Sequence, residues 1–342
     1  MGNTSFFEAE TKDPAILSSE ETEEEKIPLD ELIDKLNKDF FYHDPPLVFD
    51  GYIGKGSFGH VFKGISHYDT LEEHAIKIMK PQLLDTPNPM DLKDLKKFFM
   101  NECVFQYFLS QQLEDKVVKV YDYGEFLTYR FMVMELMSDK SLRHVINDYR
   151  SYSLKDRVSI MIDIAGILSE IHEKRIVHRD VKPENALFSR KTYIVDGEHG
   201  KEIVGERVIK MSDFGLVRWM HSHFLPEQNK IIGSSDYMSP EQVHEPKYVD
   251  KRTDIFSFGV VFYEMLNGVY PRQVDIDTDD EYRYLSTLVG IPARAIIDLN
   301  DTVKDLNYII MKCMEKDPEK RYQSMGEVLV DLREYYNKQF DA

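Results

Sequence analysis

Two short segments constrain this sequence most. H-R-D-V-K-P-E-N occupies residues 178–185 behind an apolar pair, and D-F-G occupies residues 213–215, with 27 residues between Asn185 and Asp213. The acids and the amide are expected on loops that follow apolar strands. One acid can then accept the proton of an attacking hydroxyl, while the other acid and the asparagine hold a metal ion. The two segments therefore predict a site for a magnesium–nucleotide reaction.

The composition excludes several other classes of protein. With 342 residues and 42% apolar content, the chain can bury a large core in one domain or two joined lobes. Its net charge of −18 repels nucleic acid and anionic lipid. Cys103 and Cys313 are too few for a disulfide framework or a four-ligand zinc site, and they favour a reducing, cytoplasmic location. No apolar run approaches the roughly 20 residues of a membrane-spanning helix, and no signal peptide opens the chain.

Residues 1–46 form an acidic tail with thirteen acids and four lysines. Apolar residues at helical spacing behind Pro28 predict one amphipathic helix in this tail. The helix either covers an apolar patch on its own domain or, as the less favoured interpretation, is a docking site for a partner. Gly2 follows the initiator Met, as N-myristoylation requires, but Phe6 stands where the pattern needs Ser or Thr. Lipidation is therefore the weaker alternative.

From residue 47 the pattern changes to short β-rich runs separated by glycines, and after residue 141 it becomes mostly helical. The predicted fold is α+β, with a small β-rich N-terminal lobe and a larger, mainly helical C-terminal lobe. G-K-G-S-F-G at residues 54–59 lies between the first two strands, where its glycines let backbone N–H groups approach phosphate oxygens. A strand follows this loop, which argues against a dinucleotide-binding fold, and Lys77 lies on the next strand.

These segments together resemble the eukaryotic-type protein kinase family over residues 47–336. Further family motifs are S-P-E at residues 239–241, where A-P-E is usual, and D-I-F-S-F-G at residues 254–259, while Arg321 matches the ion-pair partner of Glu241. The resemblance implies a kinase domain at residues 47–340, with an N-lobe to about residue 136 and a C-lobe from about residue 137. It also implies ATP as the phosphoryl donor, Mg²⁺ as cofactor and proteins as substrates.

The resemblance also assigns roles to individual residues. The catalytic base matches Asp180, Lys182 would lie beside the γ-phosphate, and Asn185 and Asp213 would hold the metal. Lys77 would bind the α- and β-phosphates and pair with Glu102, which lies mid-helix among apolar neighbours. The nucleotide-binding residues would be Gly54, Lys55, Gly56, Ser57, Phe58 and Gly59 in the loop, Val61, Ala75 and Leu187 around the base, and Met134, Glu135 and Met137 between the lobes.

Two features depart from the family pattern. The interval between Asn185 and Asp213 is about twice the usual length, and part of it alternates in polarity. This pattern predicts an inserted β-hairpin at about residues 190–208. Gln106, one turn after Glu102, occupies a position that is normally apolar. Its amide must therefore find partners or solvent.

Three functions compete for this sequence. An active protein kinase is favoured, because Lys77, Asp180, Asn185 and Asp213 are all present. Lys182, two residues after the base, is the Ser/Thr pattern. A catalytically silent scaffold usually lacks the lysine, the base or the metal ligand, and a small-molecule phosphotransferase has no reason to contain S-P-E together with Arg321. Glu184 and Glu264 match acidic positions that receive a substrate arginine in basophilic relatives. Basic residues on the N-terminal side of the acceptor are therefore expected, against the alternative that both acids are only solvated.

Arg179 and Arg218 match two cations that bind a phosphate on the activation segment in many relatives of the family. Residues 223–233 contain no hydroxyl side chain, and Glu227 is their only acid. The favoured hypothesis is that Glu227 supplies the anion constitutively, and phosphorylation of a flanking serine is the alternative. The regulatory candidates are Arg179, Arg218, Ser222, Glu227, Ser235 and Ser234, the last at the position of a family threonine that bonds the catalytic Asp and Lys.

Overall fold

The computed structural model describes residues 28–55, 59–66, 72–79, 92–138, 140–197, 200–214, 218–219, 235–245, 248–272, 287–294 and 301–341. Its strands are β1 (Leu47–Lys55), β2 (Gly59–Ser66), β3 (Glu72–Met79), β4 (Val120–Phe126), β5 (Tyr129–Glu135), β6 (Ile176–Val177), β7 (Ala186–Gly197), β8 (Gly200–Met211) and β9 (Arg218–Trp219). Its helices are α1 (Leu29–Phe40), α2 (Leu92–Gln112), α3 (Leu142–Asn147), α4 (Leu154–Glu173), α5 (Pro240–His244), α6 (Arg252–Asn267), α7 (Asp301–Cys313) and α8 (Met325–Phe340).

The first five strands form one antiparallel sheet in the order β1-β2-β3-β5-β4. Successive side chains of β3 point to opposite faces of this sheet, as strand geometry requires. Ile76 and Ile78 belong to the core on one face, while Ala75 and Met79 pack with Phe99 of α2 on the other. Both faces are therefore apolar, and each needs a covering element.

Helix α1 covers the face that α2 leaves open. Phe40 is fully buried, and its ring centroid lies within 5.7 Å of four aromatic ring centroids of the sheet. The Asn37 side chain accepts a hydrogen bond from the Phe49 amide at 2.7 Å and donates one to the Phe49 carbonyl at 3.0 Å. The Tyr129 hydroxyl donates to Asp39 at 2.7 Å. The apolar face of α1 thus packs on the sheet of its own domain. A partner that docked on α1 would need the same face.

We expect Phe40→Ala to lower the free energy of unfolding by about 3 kcal/mol, because it removes a fully buried ring and leaves a cavity. Chemical denaturation measures the change. Phe41→Ala is the matched control, since Phe41 is 67% exposed and should change stability by less than about 0.5 kcal/mol. Equal stability of the two variants would show that α1 does not pack on the sheet in solution.

The C-terminal part is helical around α6, which packs against α4 and α7. Thirteen consecutive residues of α6, Thr253 to Met265, are buried, so this helix forms the centre of the larger core. Strands β7 and β8 pair continuously from Ala186 opposite Met211 to Gly197 opposite Gly200, and residues 190–197 and 200–208 lie within this one ladder. The α+β prediction is confirmed. No helix within the described ranges is long and apolar enough to cross a membrane.

Arg321 connects α5 to the C-terminal helices. Its side chain is fully buried and donates to both carboxylate oxygens of Glu241, at 2.6 and 2.7 Å. It also donates to the carbonyls of Glu315, Lys316 and Arg252. Every nitrogen of the guanidinium is therefore used.

We expect Arg321→Met to destabilise the fold by about 3 kcal/mol, because it leaves the Glu241 carboxylate, only 14% exposed, without its cation. Thermal or chemical unfolding tests this. Lys320→Met removes a neighbouring exposed cation and should be nearly neutral. A similar small effect for both variants would contradict the structural role of the buried pair.

Candidate active site

A cavity of about 620 Å³ opens between the sheet and the helical part. The predicted residues that line it are Gly54, Val61, Ala75, Lys77, Glu102, Met134, Glu135, Met137, Lys182, Asn185, Leu187 and Asp213. Gly56, Ser57 and Phe58 lie outside the described residues, and only the backbone of Lys55 is described. The structure therefore brings residues that lie up to 159 positions apart, from Gly54 to Asp213, to one space, and Asp180 does not line it.

Gly59 has a different surrounding from Gly54. A Cβ atom on Gly59 would collide with the carbonyl of Ile78 on the neighbouring strand, whereas one on Gly54 would meet nothing within 4 Å. Gly59 does not line the cavity. Among the described glycines of the loop, Gly54 keeps the backbone open towards the cavity, and Gly59 allows the close approach of β3.

Lys77 lies on β3 with two carboxylates around its ammonium group. It forms a buried ion pair with Glu102 of α2, and its Nζ lies 3.6 Å from Oδ1 of Asp213. Burial opposes the charge on Lys77, but the carboxylates of Asp213 and Glu102 outweigh it and raise the pKa of Lys77. Burial raises the pKa of Glu102 to about 7. Burial also opposes ionisation of Asp213, but Lys77 and Lys182 hold the pKa of Asp213 below its usual value. Asp213 is therefore the more firmly ionised partner.

The loop after β6 carries the other polar groups. The Lys182 Nζ donates to Oδ2 of Asp180 at 2.7 Å. The Asn185 amide donates to the Asp180 carbonyl at 2.8 Å and to its carboxylate at 3.2 Å. The Ser212 amide donates to the Asn185 carbonyl at 2.9 Å, so the loop lies next to Asp213. Asp213 itself has a φ of 62°, a left-handed conformation that is uncommon for a residue other than glycine.

Asp254 of α6 holds the backbone of the loop that carries Asp180. Its buried carboxylate accepts the backbone amides of His178 and Arg179, each at 2.8 Å, and a bond from His172 at 2.8 Å. Burial opposes its charge, but the hydrogen bonds from the His172 side chain and the Arg179 amide help to lower the pKa of Asp254. Arg179 has a φ of 69°, which is a strained conformation for a residue other than glycine. The Asp254 carboxylate helps to hold this turn beside Asp180. The sequence identified Asp254 only as part of a helix motif.

Gln106 lines the cavity and is fully buried. Its Nε2 donates to the carbonyl of Val118 at 3.2 Å and contacts the Met134 sulfur at 3.6 Å, while Oε1 has no hydrogen-bond partner. The Gln106 amide nitrogen thus has partners, while its oxygen has none. Phe214 is also fully buried, and its ring centroid lies 4.7 Å from that of His178.

Comparison with known proteins gives the family of this chain. The sequence profile described as "Protein kinase domain" matches residues 47–331. This chain belongs to the protein kinase family. A probable serine/threonine-protein kinase of Clostridium perfringens is 32% identical over 259 residues, which are 75% of this chain and 34% of the relative. A probable serine/threonine-protein kinase PknB of Corynebacterium glutamicum is 28% identical over 292 residues, 83% of this chain and 41% of the relative. The kinase chain spans about a third to two-fifths of these relatives.

One ion pair of this kinase was not foreseen from the sequence. Lys210 on β8 is buried and donates to both carboxylate oxygens of Glu135, at 3.0 and 2.7 Å. The same carboxylate accepts the Lys119 amide at 3.2 Å. The end of β5 is thereby fixed to β8 of the long hairpin. A lysine 75 residues from its partner gives no local signal in the sequence.

The regulatory candidates of this kinase are only partly described. Glu227, Ser222 and Ser234 lie outside the described residues, and of Arg218 and Ser235 only the backbone is described. Arg179 follows His178, with its carbonyl accepting the Gln242 side chain at 2.8 Å. This contact ties the loop of Asp180 to α5.

Proposed function

We propose that this protein is an active Ser/Thr protein kinase that transfers the γ-phosphate of Mg·ATP to Ser or Thr hydroxyls of protein substrates. The observation that carries the proposal is the convergence of four groups from three separate segments. Lys77, Asn185 and Asp213 line one cavity, and Asp180 accepts hydrogen bonds from Lys182 and Asn185, which both line it. A silent scaffold would have no need of all four, and no contact in the described chain favours that alternative.

The donor set fits a magnesium ion that is held partly by the nucleotide. The amide oxygen of Asn185 and the carboxylate of Asp213 are hard oxygen donors, and Mg²⁺ usually takes one or two carboxylates together with substrate phosphates. No cluster of three or more His, Cys, Asp or Glu side chains suitable for a metal occurs among the described residues. The protein would therefore supply only part of the coordination. When bound, the ion would neutralise charge on the phosphates.

The residues of the chain divide the chemistry between them. Asp180 would accept the proton of the attacking hydroxyl, and Lys182, 2.7 Å from it, would stabilise charge on the transferred phosphate. Lys77, kept charged by two carboxylates, would bind the α- and β-phosphates and fix their position. Glu102 would orient Lys77.

The base of the nucleotide would occupy the apolar side of the same cavity. Val61, Ala75 and Leu187 line it and belong to one apolar cluster with Met134. The backbones of Glu135 and Met137 would bind the polar edge of the purine. The Lys210 ion pair supports this role, because it fixes the position of Glu135 relative to β8.

Further parts of the proposal rest on the sequence. They are a kinase domain at residues 47–340 behind an acidic tail, a cytoplasmic location, and Glu227 as a constitutive anion on the activation segment. The preference for basic residues that Glu184 and Glu264 suggest is not included, because Arg143 bonds both acids.

Transfer of labelled γ-phosphate from Mg·ATP to a degenerate Ser/Thr/Tyr peptide library tests the proposed function. We expect label on Ser and Thr peptides with the wild-type protein and almost none with Asp180→Asn. Nucleotide binding without transfer to any peptide would favour the scaffold, and transfer to Tyr alone would contradict the proposed hydroxyl class.

A further inference from the structure

Arg143 on α3 lies between two acidic residues that are far apart in the sequence. Its Nε donates to Glu184 at 2.7 Å, and its Nη1 forms a hydrogen-bonded ion pair with Glu264 of α6. Its Nη2 donates to the hydroxyl of Tyr237 and, at 3.4 Å, to that of Tyr270. All three nitrogens of the guanidinium are therefore engaged by one cluster.

This cluster leaves Glu264 with no free carboxylate oxygen. Its second oxygen accepts the Tyr237 hydroxyl at 2.7 Å, and its side chain is only 4% exposed. Burial and the charge of Glu264 raise the pKa of Tyr237, so the phenol stays a neutral donor. Burial opposes the charge on Arg143, but its bonds to Tyr237 and Glu264 outweigh it and raise its pKa. Glu184, at 47% exposed, is the one acid of the pair open to solvent.

The cluster lies beside the loop that carries Asp180. Glu184 lines the cavity four residues after Asp180. Tyr237 ends the short 3₁₀ turn that precedes α5, and Gln242 of α5 bonds the carbonyl next to Asp180. A substrate whose hydroxyl reaches Asp180 therefore has its flanking residues close to Glu184 and Tyr237.

We propose that Arg143 is an internal cation that occupies the anionic subsite of Glu184 and Glu264, so that the substrate needs no basic residue there. This inference rests on the proposed kinase function and concerns its specificity. Two carboxylates and one guanidinium leave the subsite with a single negative charge. A substrate arginine would have to displace charge-assisted hydrogen bonds that are already made. The expected preference for basic substrates, read from the two acids alone, is then absent.

Peptide binding tests this inference without depending on turnover. Three series of labelled peptides have Ala in place of the acceptor. They carry Arg, Ala or Glu, respectively, at each of the five preceding positions in turn. Fluorescence polarisation measures the binding of each series. We expect the wild-type protein to bind the Arg and Ala series within about 3-fold of each other. Arg143→Ala should bind the Arg series about 10-fold more tightly than the Ala series, because it exposes two carboxylates without a cation. Arg150→Ala, which removes an exposed arginine that contacts Tyr149, is the matched control and should resemble the wild type.

A second variant covers the case in which Arg143→Ala does not fold. Glu184→Gln keeps Arg143 and Glu264 paired and makes the subsite neutral, so the Glu series should bind about 3-fold more tightly than in the wild type. Three results would overturn the inference: a 10-fold preference for Arg in the wild-type protein, an equal change for all series in Arg143→Ala, or no gain for the Glu series in Glu184→Gln. Failure of phosphate transfer in the labelling assay would instead contradict the proposed function, and the binding preferences would still be measured.

Discussion

Replacement of Asp180 by Asn is expected to lower the rate of phosphate transfer by about 10²- to 10⁴-fold, the usual contribution of a positioned general base. Asparagine keeps the shape and can still contact Lys182 and Asn185, which bond the Asp180 carboxylate at 2.7 and 3.2 Å. It cannot accept a proton from the attacking hydroxyl. The loss should therefore appear in kcat, with little change in the KM for ATP.

The control for this prediction is Asp163→Asn. Asp163 is an acid on α4 whose side chain is 48% exposed and pairs with Arg207 at 3.0 Å, away from the cavity. Its activity should equal that of the wild type. If Asp180→Asn turned over peptides as fast as this control, Asp180 would not be the base.

Lys77→Met is expected to abolish most activity and to destabilise the N-terminal sheet. The methionine cannot hold phosphates, and misplacement of a reacting group by about 1 Å already costs about 10²-fold in rate. It also leaves buried Glu102 without its cation, and removal of one partner of a buried ion pair costs about 3–5 kcal/mol. Because burial already raises the pKa of Glu102 to about 7, uptake of a proton by Glu102 should reduce this cost.

Two measurements separate the effects of Lys77→Met. Chemical denaturation gives the loss of stability, and steady-state kinetics of the folded variant give the loss of rate and the change in the KM for ATP. Lys63→Met is the matched control on the adjacent strand, where the lysine pairs with Glu73 and is 35% exposed. Wild-type turnover of Lys77→Met would remove Lys77 from the proposed site.

The elements with regular apolar spacing could be predicted from the sequence. The alternating pattern of the strands and the helical pattern of residues 29–40 follow from local geometry, because side chains repeat every 2 residues in a strand and every 3.6 in a helix. The α+β class and the kinase family are confirmed. The surrounding of Gly59 was not foreseen, because the close approach of Ile78 depends on how two strands pair.

What the sequence by itself determined is the set of reactive groups, since H-R-D-V-K-P-E-N, D-F-G and a strand lysine specify chemistry through residue type and short spacing. What only the tertiary structure decided is which charges neutralise each other. Arg143 meets residues 41 and 121 positions away, Lys210 meets Glu135 across 75, and Asp254 holds a loop 75 and 76 positions earlier. In a sequence, a buried, paired acid looks the same as a solvated one. The difference arises from desolvation and from hydrogen bonds between distant segments, which exist only once the chain has folded.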